Sequence, residues 1–518
     1  MIDVNPNHLE TVKRILAAHV PECEVRAFGS RVTWTAKDYS DLDLAVVGEG
    51  ALDPDVLRQI RAEFEKSDLP FRVEVLDWSA TGVTFQEVIE KRYEIIQPSK
   101  VRAGWSKMML SDANVTLIDC DHRTPPAAES GYPYVAIPQL RGGRIDFSEV
   151  RRISREHFIE WTRKAKPTAD DVVLSRRCNP GETAAVPRAT EFALGQNLVL
   201  LRADGTKVYP PFLRWLVRGP EWWGQIGKFL NVGAVFDSLR CADVPKFEMT
   251  IPPLHEQRSI NHILATLETK IELNRRINDT REAMARALFK SWFVDFDPVR
   301  AKVEGRDAYM PQPVADLFPD SFEDSELGEI PKGWGIRGLD EIARFLNGLA
   351  LQKYPPKDGR SLPAIKIAQL RAGDIDGADT ASADLNRDYV VEDGDVLFSW
   401  SGSLECVLWT GGRGALNQHL FKVTSTEFPK WFYYLWIHHH LADFRHIAAG
   451  KATTMGHIQR HHLNDAKVVV PRQDTLLAAS DTFSPLVHSV ITTRIESRAL
   501  AALRDALLPK LISGELPF

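Results

Sequence analysis

The chain has 518 residues, 44% of them apolar, enough for roughly three to five domains with ordinary cores. It has no run of about 18 apolar residues, and its N-terminus lacks the charged and apolar regions of a signal peptide, so a soluble, cytoplasmic protein with no membrane partner is expected. The net charge of -6 is uneven: residues 1–100 hold 12 Lys/Arg against 18 Asp/Glu, the rest holds 52 of each, and Asp316–Glu329 alone carries six acids and no base. Outside those two acidic stretches the chain is mildly basic, which permits phosphate contact without demanding it. The five isolated cysteines suggest neither a disulfide framework nor a structural zinc site.

Residues 1–100 alternate helix and strand patterns: a helix near His8–His19, a strand at Leu42–Val47, a helix at Asp55–Lys66 and a strand at Phe71–Leu76. This predicts a small α/β domain. Residues 105–251 show short apolar runs broken by Pro and Gly, as in a β-rich domain with helices, and the pattern returns at 332–470. Long helices are expected at 252–297 and 471–513, each of about 40 residues and so about 60 Å. Their seams are Ile260, Leu264, Leu267, Ile271 in the first and Phe483, Leu486, Val490, Leu500, Leu503, Leu507 in the second. Pro485 should kink or interrupt the second helix. The acidic, Pro-containing stretch 298–331 is the expected connector. The predicted architecture is therefore α/β multidomain: a small α/β domain, then two further α/β domains separated by two long antiparallel helices.

The two larger domains are copies. Tyr134-Val-Ala-Ile-Pro-Gln-Leu-Arg-Gly-Gly-Arg-Ile-Asp146 recurs as Ala364-Ile-Lys-Ile-Ala-Gln-Leu-Arg-Ala-Gly-Asp-Ile-Asp376 with seven of thirteen positions identical, and Leu194-Gly-Gln-Asn-Leu198 matches Leu416-Asn-Gln-His-Leu420. The segments from Pro252 and Pro471 then run in parallel at a constant spacing of 219. So long a period means domain duplication, not a repeat array.

Residues 105–518 resemble the DNA-specificity subunit of type I restriction-modification systems. The matching segments are Ile251-Pro-Pro-Leu-His-Glu-Gln257, Leu288-Phe-Lys-Ser-Trp-Phe-Val-Asp-Phe-Asp-Pro298, Leu507-Leu-Pro-Lys-Leu-Ile-Ser-Gly-Glu-Leu516 and Asp121-His-Arg-Thr-Pro125. Val470-Pro-Arg-Gln-Asp474 departs from the helix-opening pattern. The resemblance implies two target-recognition domains, each reading half of a bipartite site in double-stranded DNA. It also implies helices that set the half-site separation near one DNA turn, roughly 34 Å, and docking to two methyltransferase subunits, with or without motor-nuclease subunits. The family subunit has no chemistry and no cofactor of its own. In keeping with that, no phosphate-binding Gly-rich loop is found in the repeated region, and Tyr209-Pro-Pro-Phe212 reads as a turn.

Candidate DNA contacts are polar and basic residues near the repeated motifs: Arg123, Gln139, Arg141, Arg144, Arg176 and Arg177 in the first module, and Lys366, Gln369, Arg371, His419, Lys451 and Thr453 in the second. Arg and Gln can pair with guanine and adenine edges, and Lys positions phosphate. Gln139-Leu-Arg141 and Gln369-Leu-Arg371 recur in both modules, and modules that read different sequences need not share their readers. A structural or phosphate role is therefore favoured for them. The cluster His438–His440 with His446, His457, His461 and His462 reads as solvated or DNA-facing imidazoles, and Trp222-Trp223 and Trp431–Trp436 as core aromatics.

In the first 100 residues, Gly29-Ser30 precedes Asp41-Leu-Asp43, and Glu74 lies in the next strand. Two alternating carboxylates share one face of a strand, and a third from a neighbour completes a divalent-metal clamp beside a Gly-Ser turn that approaches a triphosphate. This segment resembles the minimal nucleotidyltransferases of the DNA polymerase β superfamily, the type found as antitoxins that transfer AMP. The resemblance implies Mg²⁺, a nucleoside triphosphate, metal ligands Asp41 and Asp43, catalytic residues Asp41, Asp43 and Glu74, and a nucleotide turn at Gly29 and Ser30. Glu74 stands where the family has Asp, and Asp77 is a nearby alternative. Whether the chain is also an enzyme is left open. The alternatives to a plain specificity subunit are a nucleotidyltransferase targeted by its DNA-reading modules and a degenerate toxin-antitoxin fusion.

Overall fold

The computed structural model describes residues 2–21, 23–37, 40–48, 51–97, 104–233, 237–356, 359–450 and 456–516. Two compact units are present, Met1–Thr266 with Arg504–Phe518, and Leu267–Leu503.

The first unit opens with α1 (Pro6–His19), β1 (Glu24–Phe28), α2 (Ser30–Thr33), β2 (Leu42–Val47), α3 (Pro54–Glu65), β3 (Val73–Asp77), α4 (Val83–Glu90) and β4 (Glu94–Gln97). The sheet order is β3-β2-β1-β4, with β2 and β3 parallel and the other pairs antiparallel. Asn5 and Asp53 cap α1 and α3 through side-chain oxygens, each followed by Pro at the first helical position. Val12, Leu16, Ile60 and the inward residues of β1–β3 close a separate small core.

The first repeated module has a four-stranded antiparallel sheet in the order Thr183–Ala185, Val172–Ser175, Leu198–Ala203, Val115–Asp119. The second, in the other unit, has Cys406–Leu408, Val396–Ser399, Leu420–Thr424, Arg344–Asn347 in the same order and sense. In each module a smaller sheet contains one parallel pair, Tyr134 beside Ala193 in the first and Ala364 beside Ala415 in the second. The sequence repeat is thus a repeat of topology.

The long helices are Leu254–Phe293 and Gln473–Ile512. In the first unit Ile260 and Leu264 share a core with Leu508, Leu511 and Ile512. In the second unit Asn274 donates to Glu496 at 2.9 Å and to Ser497 at 3.2 Å, Arg494 pairs with Glu282 at 2.7 Å, and Phe289 and Phe293 pack on Phe483. In the second unit rising numbers on one helix meet falling numbers on the other, so the pairing there is antiparallel. Buried Asn274 and Asn278 interrupt the apolar seam, the kind of polar position that fixes register in paired helices.

Four expectations need correction. Pro485 does not interrupt its helix: it is exposed, so the Asp481 carbonyl that loses its amide partner faces solvent. Leu503 is exposed, and the seam of the last turns runs through Arg504, Leu508 and Leu511 instead. The triplet His438–His440 belongs to a helix, Lys430–Ala449, whose apolar face lies in the core; His438 and His440 are partly buried on it and are not solvated imidazoles, while His439 is exposed. Desolvation pushes both His438 and His440 down to about 4, and His440 Nε2 donates to the Lys467 carbonyl at 2.9 Å. Of the tryptophan pair, Trp222 is core and Trp223 is half exposed. The acidic stretch 298–331 folds into helices Asp297–Val303 and Gln312–Ala315 and a hairpin, and places Val299, Phe318 and Ile330 in the core of the second unit.

Candidate functional site

Strand register makes two of the N-terminal carboxylates neighbours, while Asp41, Asp43 and Glu74 do not bring three ligand atoms within 4.8 Å of one another. Asp43 on β2 stands directly beside Glu74 on parallel β3, so both side chains leave the same face. Burial, then Glu74, then Asp41, push the Asp43 carboxyl up from its ordinary range. Gly29 has φ of +77° and lies so close to Asp43 that an added Cβ would fall far inside contact distance of its Oδ2. Only glycine fits both the backbone angle and the approach. Ser30 opens α2 beside it, half-buried. Asp77 is buried and accepts from the Leu52 and Ser79 amides at 2.9 Å each, which makes it a loop anchor, whereas Glu74 beside Asp43 is exposed. An all-carboxylate donor set with mutual repulsion suits a hard divalent cation.

Among the described residues, the three ligand-type groups lying within 4.8 Å of one another are Asp119, Cys120 and His122, in the first module. His122 Nε2 is 2.9 Å from Asp119 and its Nδ1 is 2.8 Å from the Gln196 carbonyl, so both ring nitrogens are already engaged. Burial pushes the Cys120 thiol up to about 12, keeping it protonated, and the Arg176 cation lies close enough to act on both Cys120 and Cys241. A resident cation leaves this cluster poorly suited to a metal.

The candidate DNA residues separate by their contacts. The Gln139 side-chain carbonyl accepts from the Ala136 amide at 3.1 Å, and that of Gln369 from the Lys366 amide at 3.3 Å. The repeated glutamines therefore close the same turn twice, and Gln369 is buried. Arg123 is held by Asp121 and Glu160 and lies over Trp161; Arg141 reaches Asp146 at 3.5 Å; Lys366 pairs with Asp379. Arg176 is partly buried with its guanidinium toward the Leu239 carbonyl at 3.5 Å. Arg144 is partly buried on a two-residue strand opposite Arg141, and Arg371 and Arg177 are exposed. His419 Nδ1 is 3.0 Å from Ser401 Oγ. Lys451 and Thr453 lie outside the described residues.

The family motifs have structural work. Gln257 is fully buried and accepts from the Tyr209 amide at 2.6 Å while donating to the Lys207 and Pro252 carbonyls, tying the start of the first long helix to its module. Tyr209 accordingly caps a helix, Pro210–Leu216. In the second helix, whose opening departs from the pattern, buried Leu476 stands in the place of Gln257 and the link is apolar. Phe289, Trp292 and Phe293 pack against Trp334, Trp431 and Phe483.

Residues 122–282 match the model of the type I restriction modification DNA specificity domain, and residues 10–100 that of the polymerase beta nucleotidyltransferases. The chain therefore carries a type I restriction-modification DNA-specificity domain and a polymerase-β-type nucleotidyltransferase domain. It is 23% identical over 385 residues to the HindI specificity subunit of Haemophilus influenzae, covering 63% of this chain and 81% of that one. Over 96 residues it is 47% identical to a probable protein adenylyltransferase, MntA, of the same species, covering 18% of this chain and 84% of the relative. The solved S subunit of a type I system from M. genitalium aligns over 80% of this chain and 98% of its own at 14% identity, with a TM-score of 0.44. Among the described residues, no helix is long and apolar enough to cross a membrane.

Proposed function

We propose that this chain reads a bipartite site in double-stranded DNA, one half per module, and docks two type I methyltransferase subunits. The observation that carries this reading is the duplicated sheet, identical in strand order in both modules while the surface side chains differ. A shared scaffold with different surfaces suits two different half-sites. Arg177, Arg371 and His419 are the candidate contacts best placed to reach DNA; Gln139 and Gln369 serve the frame. Co-expression with type I methyltransferase subunits followed by modified-base sequencing tests the reading. A split motif carrying N6-methyladenine is the expected result, and a stable complex that marks no motif would refute it.

A second reading is favoured by the N-terminal geometry: nucleotide transfer at Asp41, Asp43 and Glu74. When bound there, Mg²⁺ neutralises triphosphate charge and activates the attacking group. Gly29 gives the backbone close approach to the nucleotide, the Ser30 hydroxyl donates to a phosphate oxygen, and Asp43, already destabilised as an anion, gains most from a cation. Asp41→Ala/Asp43→Ala should abolish nucleotide transfer and leave the methylated motif unchanged.

A further inference from the structure

The two modules share one junction at the end of the central strand of each four-stranded sheet, and its backbone repeats bond for bond. Ser175 N–H donates to the Glu182 carbonyl at 2.8 Å, and Ser399 N–H to that of Glu405 at 2.9 Å. Arg176 N–H donates to the Asn197 carbonyl at 3.0 Å, and Trp400 N–H to that of His419 at 3.4 Å. Leu239 N–H donates to the Arg176 carbonyl at 2.9 Å, and Ile458 N–H to that of Trp400 at 3.0 Å. One residue further on, Arg177 faces Ser238 across an isolated antiparallel bridge, and Ser401 faces His457 across its counterpart.

The side chains on this common frame do not repeat. Arg176 is replaced by Trp400, whose indole N–H donates to Asn347 at 2.9 Å, and Asn347 occupies the strand position of Asp119. The bridge pair is a basic residue opposite a serine in both modules, but on exchanged sides: Arg177 with Ser238, and Ser401 with His457. Arg177 is exposed, and among the described residues its guanidinium has no hydrogen-bond or ion-pair partner. In the second module Ser401 is buried and holds His419, which lies with His457 around the Trp400 ring.

Fold and phosphate contact can be shared by two modules that read different sequences; base readout cannot. We infer that the bridge is the base-reading position of each module, with Arg177 reading one half-site and His457 the other. This rests on the DNA-reading function proposed above. A free guanidinium matches the two acceptors of a guanine major-groove edge, so Arg177 reads guanine, whereas His457 makes a single bond from the opposite strand of the bridge.

The test is modified-base sequencing with co-expressed methyltransferase subunits for wild type, Arg177→Ala, Arg177→Gln and His457→Ala, with thermal melting as a control for folding. Arg177→Ala should reduce discrimination roughly ten- to hundred-fold at a guanine in one half of the motif and leave the other half intact. Arg177→Gln, whose amide suits adenine, should shift the preference at that same position. His457→Ala should relax only the other half. Uniform loss of methylation with an unchanged consensus would make these phosphate contacts and overturn the inference, as would both variants relaxing the same half, or no change in either. A wild type that marks no motif would instead overturn the DNA-reading function itself.

Discussion

Acid should loosen the second module through His438 and His440. Both imidazoles are pushed from an ordinary 6.5 down to about 4, with desolvation the largest cause; Arg286 adds to it at His438 and His439 at His440. A base whose folded value lies below its unfolded value binds more protons when unfolded. Its contribution is therefore complete above pH about 6.5 and is lost as pH falls towards 4. About 2.5 units at 1.36 kcal/mol per unit gives a ceiling of about 3 kcal/mol for each imidazole. Hydrogen exchange of peptides spanning 430–449, corrected for the intrinsic pH dependence of exchange, reads the local opening free energy directly. The double variant His438→Leu/His440→Gln keeps a donor for the Lys467 carbonyl and removes both titrations. Its opening free energy should fall less than that of wild type between pH 6.5 and 4.5. Parallel profiles would refute burial of neutral imidazoles as a source of acid sensitivity.

Gly29→Ala should abolish Mg²⁺-dependent nucleotide binding, measured by calorimetry, because the new methyl must displace the Asp43 carboxylate and the positive-φ extended backbone costs about 1–3 kcal/mol more; the methylated DNA motif should not change. Phe483→Ala removes a fully buried ring packed among Phe289, Trp292, Phe293 and Trp431, and should cost about 3–5 kcal/mol in urea unfolding. Gln139→Ala and Gln369→Ala should each cost about 0.5–2 kcal/mol, like the loss of a helix cap, with no change in recognised sequence; a changed consensus would return these residues to base reading.

Much of the architecture was legible in one dimension because it is periodic or repeated. Helix seams recur every three or four residues, and duplication leaves identical segments; the expected sharing of a strand face by Asp41 and Asp43 is less direct, because the strand begins at Leu42. Contacts between distant segments were not legible in that way. Glu74 was named with Asp77 as a nearby alternative, and what separates them is the register of β2 against β3, which pairs Asp43 with Glu74, and the loop amides that engage Asp77. The histidine triplet looks uniformly polar in sequence, but the helix carrying it packs its aromatic residues against the long helices and draws His438 and His440 partly inward, leaving His439 exposed. Arg176 and Arg177 are neighbours of the same type, yet the alternation of a strand end sends one towards Cys120 and Cys241 and the other into solvent. The sequence by itself determined the duplication, the long helices and the two family motifs. Only the tertiary structure decided which polar side chains hold the frame and which remain available to a ligand, because that depends on strand register, turn geometry and packing that put each side chain beside a partner or leave it in solvent.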